Sequence, residues 1–307
     1  MVFFNYLVMC FIFGTTFLAI KIGVEASASP FFLAGLRFFL AGLIMLGWTV
    51  WRNKTRLSSL LRKEMLISGF CLTFATFSTL YWAEQYVSSG IAAVLSATGP
   101  MMILLLQTAV MRQRTSAVSL IGCLIGFAGV FLIVLPKLTV SASAWWFIGV
   151  VAIVIGEFCY SSGALYAKQV TERFRSESPI ALNAVQMLYG GLMLLLLSSF
   201  TEHIELKSLI TPSGIGSLLY LTVAGSMIGH TLFYWLVAKT NPVFPSTWLY
   251  VSPLIALAIG VLLYDEPFHW VTGLGVVTIL AGNALVNWSS LSPLIRKPKP
   301  QSSYSMP

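Results

Sequence analysis

The sequence predicts an all-α polytopic membrane protein: ten transmembrane helices arranged as two inverted five-helix repeats. Three observations carry this. Of the 307 residues, 57% are hydrophobic and 9% charged, whereas a soluble domain carries about 25% charged residues. Too few charges remain to cover a water-facing globule, so lipid must solvate most of the surface. Apolar runs of spanning length recur from one end to the other, and the second half of the chain repeats the first in register.

The spans fall near residues 3–23, 31–51, 65–84, 87–111, 117–136, 145–167, 180–200, 213–238, 243–264 and 270–289. Each is read as a helix, because lipid cannot satisfy backbone polar groups and these runs lack the alternation of barrel strands. The first is followed by Ala26-Ser27-Ala28, which resembles a signal-peptide cleavage site. It has no positive flank and is longer than a usual signal core, so it is expected to be retained. The second carries Arg37, and the third and fourth are separated by little more than Val87-Ser88-Ser89-Gly90. The fourth contains Pro100, the sixth Glu157, the seventh Asn183 and Gln186, the eighth His230 and the ninth Pro253. Asn241-Pro242 marks the turn between the eighth and ninth. Residues 3–136 form the first repeat and 145–289 the second, and 290–307, rich in proline, serine and lysine, read as a disordered tail.

Lysine and arginine set the orientation. Fourteen of those outside the spans fall on one side, among them Arg52, Lys54, Arg56, Arg62 and Lys63, against Lys137 and Lys207 on the other. Both termini are therefore expected in the cytoplasm, in a cell membrane. This asymmetry accounts for the net charge of +8, and the scattered basic residues give no basis for a nucleic-acid partner. Cys10, Cys71, Cys123 and Cys159 all fall within spans and are read as small packing residues. No phosphate loop or metal-binding histidine pair is present, so no cofactor or metal and no enzymatic activity are expected. Ten helices with an internal pseudo-dimer suffice as a monomer, and a homodimer is equally compatible.

A shift of 153 residues superposes Tyr81-Trp82 on Tyr234-Trp235, Pro100 on Pro253, Gly122 on Gly275 and Ala128-Gly129 on Ala281-Gly282. Nearer the N-terminus Lys21 meets Lys168, Pro30 meets Pro179 and Gly42 meets Gly191. Five spans per repeat is an odd number, so the second copy enters the membrane upside down. Such inverted repeats recur in transporters, where interrupted spans at matching positions point to a substrate site between the halves. Pro100 and Pro253 each remove one helix hydrogen bond, which frees the carbonyls of Ser96 and Leu249.

With these residues in view, the chain resembles the EamA family of the drug/metabolite transporter superfamily over about residues 5–290. The resemblance rests on FGTTFLAIK (13–21) followed by Pro30 and LRFFLAGLI (36–44), on the mid-span prolines, and on LLYDEPFHWVTGLGVVTILAGNAL (262–285). Glu266 stands at the family's usual glutamate, and Gln113, between Arg112 and Arg114, replaces it in the first repeat. The resemblance implies a ten-helix, exporter-like carrier of small metabolites, with amino acids a common class, driven by an ion gradient or by exchange. Exchange or facilitation without protons, a non-transporting membrane partner and a membrane-embedded enzyme are the competing classes.

Ionisable groups inside spans are functional candidates by default. Glu157 lies too deep to reach the interface, and is expected to face the bundle interior with Tyr160 and Ser161. Gly149, Gly156 and Gly163 form an adjacent stripe that admits a neighbouring helix. Glu157 and His230 are the proton-coupling candidates. Arg37, Ser96, Pro100, Tyr160, Ser161, Leu249 and Pro253 are the substrate-cavity candidates. Arg37 also suits headgroup contact or an ion pair with Glu25 or Glu84. Lys21 and Lys168 read as interfacial snorkellers, Glu84 as hydrated, and the Tyr-Trp pairs as interface anchors.

Overall fold

The computed structural model describes residues 1–27, 29–52, 62–110, 112, 115–139, 143–174, 177–204, 207, 210–240 and 243–288. The tail at 290–307, Lys54, Arg56, Gln113, Arg114 and Asn241-Pro242 lie outside the described residues. Among those described, ten helical spans follow in order. They are α1 (Val2–Ser27), α2 (Pro30–Trp51), α3 (Lys63–Ala83), α4 (Ser89–Val110), α5 (Ala117–Thr139), α6 (Ala144–Arg173), α7 (Pro179–Thr201), α8 (Pro212–Lys239), α9 (Val243–Leu263) and α10 (Trp270–Val286). Eight are long and apolar enough to cross a membrane, while the Trp248–Leu263 part of α9 and all of α10 are shorter apolar helices. α6 runs to Arg173, past the expected 167, because no glycine or proline stops it and the polar residues after Ala167 suit a helix leaving the lipid.

Local sequence explains where the helices start. Pro30, Pro179 and Pro212 open α2, α7 and α8, where the missing proline N–H leaves no bond unmade. Ser143 and Thr211 cap α6 and α8 by accepting from Trp146 and Gly214. α3 and α8 each loosen into a π-helical stretch, Phe70–Ala75 and Leu221–Ile228. These stretches overlap under the same 153-residue shift.

The two halves pack as symmetry mates. α2 lies along α7 and α5 along α10; α3 packs on α6, and its counterpart α8 packs on α1. Glycines set the distances. A Cβ at Gly122 would stand 2.7 Å from the Gly282 carbonyl, and one at Gly129 would stand 2.8 Å from the Gly275 carbonyl, so the matched glycines bring the backbones of α5 and α10 into contact. Gly42 abuts Ala184 and Leu188, and Gly191 abuts Phe38 and Phe39, by the same logic. The stripe on α6 packs on α3 and the turn after it: Gly149 meets Val87 and Ala83, Gly156 meets Thr79, and Gly163 meets Cys71 and Leu72. Small residues allow this close approach where no hydrophobic drive exists between helices in lipid. All four cysteines are free, with Cys10 and Cys123 buried.

The matched prolines act differently. α4 is broken: a helix over Ser89–Ser96 ends, and a second begins at Gly99 with Pro100 in its first turn. Pro253 lies inside the continuous helix Trp248–Leu263, and the interruption of α9 comes earlier, at Thr247. The expectation of two equivalent kinks is corrected here, because a proline at a helix start costs little whereas one inside must bend around its missing bond.

Candidate functional site

Polar groups from both halves converge on the break in α4. The Ala97 carbonyl accepts from Asn283 Nδ2 of α10 at 2.8 Å, and the Gly99 carbonyl accepts from the Ser161 hydroxyl of α6 at 3.0 Å. Free backbone at this depth must be satisfied inside the protein, and one donor from α6 and one from α10 do so. Glu157 lies one turn before Ser161. A side chain at Gly99 would stand 3.0 Å from the Glu157 carboxylate, so the glycine makes room for the acid. Ser96 approaches the same carboxyl, and its buried hydroxyl has no hydrogen-bond partner among the described residues. Glu157 is buried at 8% exposure and Ser161 fully buried. Tyr160 is 38% exposed, close to Glu157 and Tyr234. Leu249 is half-buried and Pro253 buried on α9.

A second cluster surrounds Arg37. Its Nε donates to the Ser226 hydroxyl at 2.9 Å and its Nη1 to the Tyr81 hydroxyl at 3.0 Å. The guanidinium lies over Phe38 and Phe77, at 4.5 and 5.5 Å from the ring centres. Neither Glu25 nor Glu84 pairs with it, which corrects the expected ion pair, and burial at 3% exposure removes the headgroup role. Tyr81 is corrected from interface anchor to buried partner of Arg37; Ser226 carried no signal of this in sequence. His230, on the next turn of α8 from Ser226, meets the Asn183 amide through Nδ1 at 3.3 Å, and Gln186 donates to Asn183. Asn183, Gln186 and Tyr234 line a cavity of about 50 Å³ together with Met65 and Leu182.

The end of the bundle where α1 stops holds a cavity of about 300 Å³ lined by Lys21, Glu25, Tyr86, Trp146, Tyr264 and Asp265, among others. Lys21 is not a snorkeller: its ammonium donates to the Glu84 carbonyl at 2.6 Å and pairs with Glu25 at 3.3 Å. Glu84 is not hydrated: it is fully buried, and neither carboxyl oxygen has a hydrogen-bond partner among the described residues. Tyr264, just beyond α9, hydrogen-bonds Glu25. Burial and then that bond push its hydroxyl up to about 12, so it remains a donor at neutral pH.

Two carboxylates here join one half to the other. Glu266 accepts from the Ser89 N–H and hydroxyl, both at 2.7 Å, and from the Gly90 N–H at 3.0 Å. Glu202 accepts from the Phe31 and Phe32 N–H groups at 2.8 and 2.9 Å. Each acid of the second half caps a helix start of the first, where unsatisfied N–H groups and the helix dipole favour an anion. Among the described residues no group of histidine, cysteine and acidic side chains is arranged to hold a metal.

The comparisons agree with this architecture. The model of the EamA-like transporter family matches residues 2–135 and again 147–288. An uncharacterized inner membrane transporter of Escherichia coli strain K12, YedA, is 28% identical over 288 residues, covering 92% of this chain and 85% of its own length. Protein PagO of Salmonella typhimurium is 27% identical over 275 residues, 88% of this chain and 87% of its own. A crystal structure at 15% identity shares the fold, with a TM-score of 0.63 over 94% of this chain and 98% of that one. With two family matches covering its two five-helix halves, the chain belongs to the EamA-like transporter family.

Proposed function

We propose that this transporter is a proton-driven exporter of small metabolites such as amino acids, set in the cell membrane with both termini in the cytoplasm. The observation that carries the coupling is the position of Glu157, buried against Gly99 at the break in α4. A carboxylate without a cationic partner is costly to bury. It is therefore held as the neutral acid while the site is closed and releases its proton when the site opens to water. Proton binding and site closure are then linked, which is what coupling requires. His230, tied to Asn183 in the Arg37 cluster, is the second candidate proton carrier. In this reading the substrate is held near the break in α4, with Ser96, Pro100, Tyr160, Ser161, Leu249 and Pro253 as its candidate contacts.

The test is reconstitution in liposomes carrying a pH-sensitive dye, with a panel of amino acids and small amphipathic metabolites and Glu157→Gln in parallel. Substrate-dependent proton flux that Glu157→Gln abolishes is the expected result. Equal substrate movement in both proteins without proton flux would make Glu157 structural and the carrier an exchanger or facilitator.

A further inference from the structure

Arg37 is a permanent cation with almost no exposure, and among the described residues no carboxylate lies within ion-pair distance. Three other basic groups do have one: Lys21 has Glu25, Arg62 has Glu177, and even the exposed Arg173 has Glu64. Of the five guanidinium N–H groups, two are used, on the Ser226 and Tyr81 hydroxyls. The remaining three (five less two) have no acceptor among the described residues. Nη2 supplies two of them, and it points toward Gly225, where a Cβ would stand only 3.1 Å away. The same Cβ would stand 2.9 Å from the Thr16 methyl, so the absence of a side chain at 225 is what leaves room for Nη2 between α1 and α8.

Glu84, itself buried, interacts with Arg37 only from beyond ion-pair distance, and desolvating a charge without a contact partner costs more than two neutral hydrogen bonds and two aromatic faces return. A cation kept in this state is explained by a counter-ion that comes and goes. The location fits a visitor. Arg37 and Tyr81 belong to the first half, and Gly225 and Ser226 to the second, on the π-helical stretch of α8. π-helical stretches are frequent at functional sites. Any relative movement of the halves changes the guanidinium's surroundings.

We infer that Arg37 binds a carboxylate of the transported molecule, so that the substrates are organic acids or zwitterions rather than neutral or purely cationic compounds. The two N–H groups of Nη2 and the free one of Nη1 offer the planar fork that matches a carboxylate. This deepens the carrier reading and rests on it.

The test uses purified full-length protein in detergent, with acetate, benzoate and N-acetylglycine as probes, each against its uncharged amide at constant ionic strength. Thermal unfolding and isothermal titration are read together. Saturable binding by at least one acid, at least tenfold weaker for its amide and for Arg37→Gln, is expected, with partial recovery in Arg37→Lys. Ser226→Ala, which leaves the charge in place, should weaken binding less and guards against loss of fold in Arg37→Gln. Equal binding of acids and amides, retained affinity in Arg37→Gln, or no binding by any acid overturns the inference. So does a stability that ignores added acids but falls on Glu84→Gln, since Glu84 would then be the resident counter-ion. Neutral substrates moving in the proton-flux assay would refute the role of Arg37 and leave the carrier intact. Loss of proton coupling alone would leave the acid-binding result standing.

Discussion

Removing the Glu266 carboxylate should loosen the junction between α4 and the α9–α10 turn by a predictable amount. Three donors converge on it: the Ser89 N–H, the Ser89 hydroxyl and the Gly90 N–H. In Glu266→Ala the hydroxyl can rotate to another acceptor, but the two N–H groups are buried at a helix start. Each unsatisfied donor costs about 1–3 kcal/mol, so the pair costs about 2–6 kcal/mol. Glu266→Gln retains one oxygen, placed to keep Ser89, and sets an amide nitrogen against the Gly90 N–H. Charge-assisted bonds are roughly twice as strong as neutral ones, and a loss of about 1–2 kcal/mol is expected. Gly260→Ala provides an independent route to the same defect, since its Cβ would clash with Glu266 Oε2 and push the carboxylate off the helix start. Unfolding in mixed SDS and neutral-detergent micelles, followed by tryptophan fluorescence, measures all three. The order wild type, Gln, Ala is required. If Glu266→Ala unfolds at the wild-type SDS fraction, or Gly260→Ala is silent, the carboxylate is not holding the helix and the reasoning fails.

Three further results should follow in the same assay. Gly122→Ala forces a Cβ to 2.7 Å from the Gly282 carbonyl and Leu285, and should cost about 1–3 kcal/mol by overpacking; Gly47→Ala meets nothing within 4 Å and should stabilise by about 0.5–1 kcal/mol through helix propensity. Asn283→Ala deletes the bond to the Ala97 carbonyl and should cost about 1 kcal/mol, in the range of interhelical side-chain bonds in membranes, with faster amide exchange confined to the residues around the α4 break.

The spans were legible because burial in lipid acts residue by residue. A run such as α5 or α7 is apolar whatever it packs against. The glycine register was legible for a related reason: Gly122, Gly129, Gly275 and Gly282 are spaced by the helix period and matched between repeats, whatever the tilt. Pairings across helices were not legible. Arg37 could have turned to Glu25, to Glu84 or to lipid, and only helix rotation chose Tyr81 and Ser226. Glu84 read as hydrated because it ends a span, yet the close approach of α1 through Lys21 seals it. Glu202 carried no signal: Ser29-Pro30 reads as a helix start that caps itself, and only the structure shows that the Ser29 side chain makes no capping bond and that Glu202 supplies the acceptor.

The capping of the first half by acids of the second also bears on how evenly the two ends of the bundle are held. Arg112 and Asp265 are the non-glycine residues with positive φ among those described, at 53° and 50°, and the 153-residue shift superposes them. Both halves thus leave their fourth helix by the same left-handed turn, a conformation costing roughly 1–2 kcal/mol for an ordinary side chain. Asp265 delivers Glu266 to the start of α4. The residue after Arg112 is Gln113, so the repeat carries no second carboxylate at the position matching Glu266. A perfect pseudo-twofold would make the two ends equivalent; this substitution makes them unequal. Opening the end closed by Glu266 has to break the three hydrogen bonds that its carboxylate accepts from Ser89 and Gly90.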